Sequence, residues 1–245
     1  MNTVIIGATR GMGRAVARQL VERGDDVFLL GRSADDLQRS AADLMARREQ
    51  ARVGTATCNL ADASGFPAAL DAAEHALGRI EAVVVTAGLF GTQDALEADL
   101  DRAKAVLDVN FTGTVLFCEH ARKRLLAGGG GNLCVLSSVA GERGRKPVVL
   151  YGASKAGLSY YLEGLDHKYR AEGLITTCVK PGFVKTGMTA GLKPPPFAGE
   201  PESVARTIIK AMDAGKPVVY APPIWAVVML VIRSLPRLVM RKIGF

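Results

Sequence analysis

Thr3-Val-Ile-Ile6-Gly7-Ala-Thr9-Arg10-Gly11-Met12-Gly13, running on into Arg14-Ala-Val-Ala-Arg-Gln-Leu-Val-Glu-Arg23, is the stretch that decides the fold. The short apolar run reads as a buried strand, and the amphipathic segment after it reads as a helix. Between them, glycines let the backbone turn sharply and pass close to a ligand. The helix start adds unpaired N–H groups and a partial positive charge, which together suit a pyrophosphate. The spacing is G-x-x-x-G-x-G, with Thr9, Arg10 and Met12 among the other loop residues; the general dinucleotide fingerprint is G-x-G-x-x-G. A tight connection without a ligand would use the same glycines, so the context decides.

That context is an alternation. Thr3–Ile6, Asp26–Leu30, Arg52–Cys58, Ala82–Thr86, Asn132–Ser137 and Ile175–Lys180 read as strands, with Val218–Tyr220 as a seventh. Gly13–Arg23, Ala34–Gln50, Pro67–Leu77, Leu100–Leu126, Tyr151–Glu172 and Pro201–Ala214 read as helices. Gly24, Gly128–Gly131 and Gly173 stand just past helix ends, where left-handed caps are wanted. Continuous apolar strands alternating with helices predict a parallel sheet covered on both faces. The expected fold is a single-domain α/β, Rossmann-type doubly wound parallel sheet over residues 1–222, with 223–245 as an apolar, basic tail.

At 245 residues and 49% hydrophobic, the chain suits one domain with a sizeable core. Cys58, Cys118, Cys134 and Cys178 are scattered without a C-x-x-C pair, and His75, His120 and His167 cluster with nothing. The cysteines read as reduced core thiols of a cytoplasmic protein, and no metal site is expected. No apolar run reaches the ~18 residues of a membrane span. The first strand begins without a basic leader. A net charge of +7 admits nucleic acid, a phosphorylated ligand or an anionic membrane surface. No basic patch is interleaved with aromatics, which sets nucleic acid aside.

The second strand ends Leu29-Leu30-Gly31-Arg32-Ser33. Gly31 stands where an acid would bind the ribose hydroxyls of NAD. Arg32 follows it, and Arg10 lies in the phosphate loop. Two guanidinium groups suit a ribose 2′-phosphate, so the expected cofactor is NADPH/NADP+. The competing reading is a pair of solvated surface arginines.

Tyr151-Gly-Ala-Ser-Lys155 puts a phenol and an ammonium on one helix face, with Ser138 thirteen residues upstream. An ammonium beside a phenol lowers its pKa from about 10 and makes it a proton donor or acceptor near neutral pH. A serine hydroxyl from a neighbouring strand end is then placed to hold a carbonyl oxygen. Such a pair is common by chance, and its weight comes from its surroundings.

Taken in order, these residues resemble the classical short-chain dehydrogenase/reductase family over essentially the whole chain. Gly7, Gly11 and Gly13 fit the family's cofactor glycines. Thr86-Ala87-Gly88 is similar to its Asn-Asn-Ala-Gly segment, with Thr86 in place of the asparagine. The resemblance implies catalytic roles for Asn110, Ser138, Tyr151 and Lys155, with Ser137 the weaker choice of serine. It implies adenine contacts at Asn59 and Leu60, where the family usually has Asp-Leu or Asp-Val. Pro181-Gly182-Phe183-Val184-Lys185-Thr186 resembles the loop that holds the nicotinamide. The implied reaction is hydride transfer from NADPH to a carbonyl. An NADPH-binding sensor that has lost catalysis would typically lack part of the Asn–Ser–Tyr–Lys set, which is complete here.

The tail bears on the substrate. Pro223-Ile-Trp225-Ala-Val-Val-Met-Leu-Val-Ile232 is apolar, and Arg233, Arg237, Arg241 and Lys242 follow without an acid. The arginine spacing of four places these residues along one helix face, with a break or kink at Pro236. Trp225 and its aliphatic neighbours supply an apolar face fit for a membrane interface, or alternatively for a subunit contact. A second basic stretch, Gly141-Glu142-Arg143-Gly144-Arg145-Lys146, lies between Ser138 and Tyr151 and reads as a solvated loop or a phosphate grip. Met188, Leu192, Pro194–Pro196 and Phe197 suggest an apolar flap. These stretches resemble decaprenylphosphoryl-2-keto-pentose reductases, which act after a flavin oxidase on a polyprenyl-phosphate-linked keto sugar. That resemblance implies a lipid-linked keto substrate, a flavin oxidase partner and a position at the inner face of the membrane. A 3-keto-sphinganine-type lipid and a small ketone are the competing substrates. A homodimer or homotetramer is expected of the family.

Overall fold

A computed structural model describes residues 1–244; Phe245 of the tail lies outside the described residues. The chain alternates β1 Asn2–Ile6, α1 Gly11–Arg23, β2 Asp26–Gly31, α2 Ala34–Arg47, β3 Val53–Thr57, α3 Phe66–Leu77 and β4 Ala82–Val85. Then come α4 Gln93–Ala98, α5 Leu100–Leu107, α6 Thr114–Ala127, β5 Gly131–Leu136, α7 Val149–Tyr169, β6 Leu174–Pro181, α8 Pro201–Asp213 and β7 Val218–Ala221. Two further helices, α9 Trp225–Ser234 and α10 Arg237–Lys242, form the tail.

The strands make one parallel sheet in the order β3-β2-β1-β4-β5-β6-β7. The order reverses between β1 and β4, which opens a crevice at their C-terminal ends, where ligands bind in such sheets. One apolar cluster, including Phe66, Leu70, Phe117, Leu158 and Leu162, covers one face through α3, α6 and α7. Another, including Val16, Leu20, Leu37, Leu44 and Ile208, covers the other face through α1, α2 and α8. The all-buried β4 run Ala-Val-Val-Val is the sequence mark of a strand covered on both sides. Phe66 and Phe117 meet edge to face at 5.4 Å; removing a ring from such a site costs about 3–5 kcal/mol.

Three expectations need correction. The single helix over Leu100–Leu126 is interrupted by a π-helical turn, Asp108–Gly113. There the Leu60 carbonyl approaches Gly113 so closely that a Cβ would stand 1.8 Å from it, so the helix widens around the contact. Among the glycines after α6, Gly128 keeps a right-handed φ, and Gly129 is the first to turn positive, at 87°. In the tail, α9 and α10 are separate helices about Pro236, so Arg233 does not share a continuous face with Arg237 and Arg241. No helix of the described residues is long and apolar enough to cross a membrane. All four cysteines are buried free thiols, and no metal-ligating cluster occurs among the described residues.

Candidate active site

The loop after β1 is shaped by what its glycines exclude. Gly7 has φ +93°, and a Cβ there would stand 2.6 Å from the Ala87 nitrogen. At Gly13 a Cβ would stand 2.3 Å from the Gly7 carbonyl and 2.4 Å from Thr86 Oγ1. Thr86 Oγ1 donates to Ile6 O at 3.0 Å, which ties the end of β4 to the end of β1. Gly11 has φ +52° and lies under the Thr186 methyl, which brings the loop after β6 against the loop after β1. Arg10 occupies the N-cap position of α1, Met12 packs against the core, and Thr9 accepts from Arg14 at its carbonyl. The first N–H groups of α1 are therefore left facing this loop. A backbone so tight that side chains would fill it suits a diphosphate.

The adenosine side is less simple. Arg32 is exposed just after Gly31, with no acid at the strand end. Arg10 is instead held by Asp36, its Nη2 donating to Oδ2 at 3.0 Å. Arg39 and Arg10 together hold Asp36 below the ordinary carboxylate range. The expected arginine pair is thus only half free, because a carboxylate in the first turn of α2 reaches back to the phosphate loop. Asn59 turns its Oδ1 to the Ala61 N–H at 3.1 Å, and Leu60 is buried beside it after β3.

The catalytic candidates converge at the ends of β4 and β5. Asn110, fully buried in the π-helical turn, donates to Leu89 O at 2.8 Å and accepts from Leu89 N at 2.7 Å. A π-bulge in a helix often marks a functional site; here it aims Asn110 at the loop after β4. Gly88 sits between Asn110 Oδ1 and Lys155 Nζ, 3.1 and 3.7 Å from where its Cβ would be. Ser138 Oγ accepts from Ala140 N at 3.1 Å and faces the Tyr151 phenol. Ser137 is committed elsewhere, to Lys155 O at 2.9 Å and Ser159 Oγ at 2.7 Å. Phe90 meets the Tyr151 ring edge-on at 5.1 Å, a wall the motifs did not announce.

The expected electrostatics of the Tyr–Lys pair do not hold. Lys155 donates to Leu136 O at 2.8 Å, with its Nζ 6.0 Å from the centre of the Tyr151 ring. Burial pushes the Tyr151 phenol up to about 12, and the Ser138 hydrogen bond pulls it partly back. Burial brings Lys155 down to about 8. Tyr151 and Lys155 both lie on α7, but the ammonium points to the end of β5 rather than to the phenol.

The loop after β6 carries Pro181, Gly182, Val184 and Thr186. Gly182 donates to Ala221 O, and Val184 is buried and bridges to Gly199. Thr186 starts a capping box with Thr189. Trp225 packs its indole on Gly182, and its Nε1 donates to Phe197 O at 3.2 Å. This corrects the reading of α9 as presenting Trp225 to a membrane. Trp225, Val228, Met229 and Ile232 pack inward against Val139, next to Ser138. Val227, Leu230, Val231 and Leu238 remain exposed. The Glu142 side chain, buried just after Gly141, accepts from Lys180 at 2.7 Å and Tyr220 at 2.6 Å. Arg143 donates to Leu235 O at 2.7 Å, tying the tail to the loop between Ser138 and Tyr151.

Comparison with known proteins fits this geometry. The short chain dehydrogenase family model matches residues 1–196, and the chain belongs to that family. An uncharacterized oxidoreductase of Mycobacterium tuberculosis is 35% identical over 243 residues, covering 98% of this chain and 95% of that protein. Carbonyl reductase family member 4 of Xenopus laevis is 26% identical, covering 86% of this chain and 90% of that protein. The solved structure of an actinorhodin polyketide ketoreductase variant with NADPH superposes with a TM-score of 0.80 at 21% identity, covering 89% and 94% of the two chains. The chain is an oxidoreductase of the short-chain type.

Proposed function

We propose that the chain is an NADPH-dependent reductase that converts a ketone to a secondary alcohol. One observation carries the reading: the complete Asn110–Ser138–Tyr151–Lys155 set gathers at the ends of β4 and β5, with Ser138 facing the Tyr151 phenol and Asn110 and Lys155 meeting at Gly88. NADPH, when bound, supplies the hydride to the carbonyl carbon. Gly7, Thr9, Gly11, Met12 and Gly13 would hold its pyrophosphate, and Arg32, with Arg10 once released from Asp36, the 2′-phosphate. Asn59 and Leu60 would take the adenine. Ala87, Gly88, Pro181, Gly182, Val184 and Thr186 would line the nicotinamide end. Ser138 and Tyr151 donate hydrogen bonds to the carbonyl oxygen as negative charge builds on it. Tyr151 then gives up its proton as general acid. Lys155 would hold the nicotinamide ribose, and Asn110, which keeps the turn after β4 in place, would hold a water that returns the proton.

For the substrate we favour a polyprenyl-phosphate-linked 2-keto sugar over a 3-keto-sphinganine-type lipid or a small ketone. Support comes from the exposed flap residues Met188, Leu192 and Phe197 and the outward Val227, Leu230, Val231 and Leu238, which suit a long apolar chain. The same faces support peripheral contact with the inner face of a membrane, where a flavin oxidase partner would deliver the keto sugar. The carbonyl reductase relative supports the ketone class. Tyr160, 82% exposed on α7 and sharing a surface groove with exposed Phe111, supports a homodimer or homotetramer.

The test follows NADPH oxidation with a generic diketone, then with lipid-linked keto-pentose beside 3-keto-sphinganine. Tyr151→Phe should lower kcat by ~10²–10⁴-fold while leaving NADPH binding in place. Near-normal turnover by that variant overturns the assignment.

A further inference from the structure

We infer that the cleft between residues 143–146 and α10 is a phosphate-ester site that holds the anionic group of the substrate. It rests on the reductase reading only in calling its ligand a substrate. The cleft has a volume of about 420 Å³ and is lined by Arg143, Arg145, Lys146, Arg237 and Arg241, with no acid among its lining residues. The two basic stretches of the sequence, distant in the chain, meet here. None of the five cations is in an ion pair among the described residues, although Glu142 beside them binds Lys180. Arg145 Nε is buried without a hydrogen-bond partner, and burial holds its pKa below that of a free guanidinium. A buried guanidinium N–H without a partner is costly, and such groups are satisfied by charge-assisted bonds. Guanidinium forks match the oxygens of a phosphate bidentately. Several cations around one small space suit an ion of more than one charge better than a lone carboxylate.

The position ties the site to the chemistry. Val149 lines the cleft at the start of α7, the helix that also carries Tyr151. The tail side chain Met240 lines the cleft and also packs into the cluster around Val139, the residue after Ser138. Exposed Val149, with Met240 and Ile243, gives the cleft an apolar edge, fit for a chain leading away from the phosphate. The same chemistry would hold a phospholipid headgroup, so the test separates the two sources.

The protein with NADPH bound is titrated with farnesyl phosphate by calorimetry, with farnesol as the uncharged control. The same ligand is tried as a competitor of diketone reduction. Farnesyl phosphate should bind and compete while farnesol does neither, and Arg237→Gln/Arg241→Gln should weaken binding by at least about tenfold. Arg145→Gln should do the same. If it fails to fold, the exposed α10 pair carries the test, with NADPH binding as the control for folding. Equal affinity of wild type and the α10 variant for farnesyl phosphate overturns the site. So does binding of phosphatidylglycerol–phosphatidylcholine vesicles that the variant loses while farnesyl phosphate never competes, because the cleft then serves a headgroup. A wild type that binds farnesyl phosphate but never oxidises NADPH would fail the reductase reading and leave the phosphate site standing.

Discussion

Gly182→Ala probes the contact that joins the tail to the cofactor loop. The new methyl would stand 2.1 Å from Trp225 Nε1, 2.2 Å from Cε2 and 2.5 Å from Cδ1. The backbone at Gly182 cannot yield easily, because its N–H is held by Ala221 O. Its φ is not positive, so alanine adds no backbone strain of its own. The indole must therefore move and lose its bond to Phe197 O. Overpacking costs about 1–3 kcal/mol and the lost hydrogen bond ~0.5–1.5 kcal/mol, together about 2–4 kcal/mol. At ~2–4 °C per kcal/mol for a chain of this size, the melting temperature should fall by roughly 4–16 °C. The KM for NADPH should rise with it, since the Pro181–Thr186 stretch is displaced. Trp225→Ala alone should cost ~2 kcal/mol, about half the value for a fully buried ring, because Trp225 is half-buried. The double variant has no clash left to relieve, so it should cost about as much as Trp225→Ala alone. Thermal unfolding of the three variants checks this. Additive losses, or a Gly182→Ala protein that melts like wild type, would refute the packing argument.

Arg32→Glu should raise the KM for NADPH by about tenfold or more and leave that for NADH nearly unchanged, since it removes one charge-assisted grip; parallel changes in both KM values would count against a 2′-phosphate site. With Lys155 brought down to about 8, the ammonium is present below that pH and lost above it. Reductive kcat/KM should therefore fall as pH rises through about 8, and a flat profile between pH 7 and 9 contradicts the value for the free enzyme. Glu142→Gln leaves the mostly buried Lys180 ammonium facing an amide, which should cost about 3 kcal/mol in urea unfolding. A loss below ~0.5 kcal/mol would mean that the Glu142–Lys180 pair contributes little to stability.

The strands were legible because each central one is apolar on both sides, and the phosphate loop because glycine is the only residue its geometry admits. The helical pattern over Leu100–Leu126 hid the π-helical turn, since the cause is a tertiary contact: the Leu60 carbonyl meets Gly113. That turn in turn sets Asn110 against Leu89, which no spacing announces. A four-residue spacing put Tyr151 and Lys155 on one helix but did not give the direction of a flexible lysine, which the Leu136 carbonyl decides. The α9 segment is apolar all round, so periodicity could not say which side packs on Val139 and Gly182 and which stays exposed. The Arg10–Asp36 pair spans two elements and lies beyond local pattern.

The altered Tyr–Lys electrostatics bear on the direction of the reaction. A phenol at about 12 is almost wholly protonated at pH 7. Burial thus makes the phenolate the disfavoured form in the free enzyme. Oxidation of an alcohol needs that phenolate as a base at the outset. Reduction needs the neutral phenol, which is already the resting form, and the alkoxide created by hydride transfer is basic enough to take its proton. Ser138 acts in the same sense, since a hydrogen bond to the oxygen on which charge accumulates is worth most in the transition state. Lys155, still protonated below about 8, keeps a positive charge behind the pair without drawing the proton off the phenol beforehand. The neutral phenol of the free site is therefore the form that the proposed reduction requires.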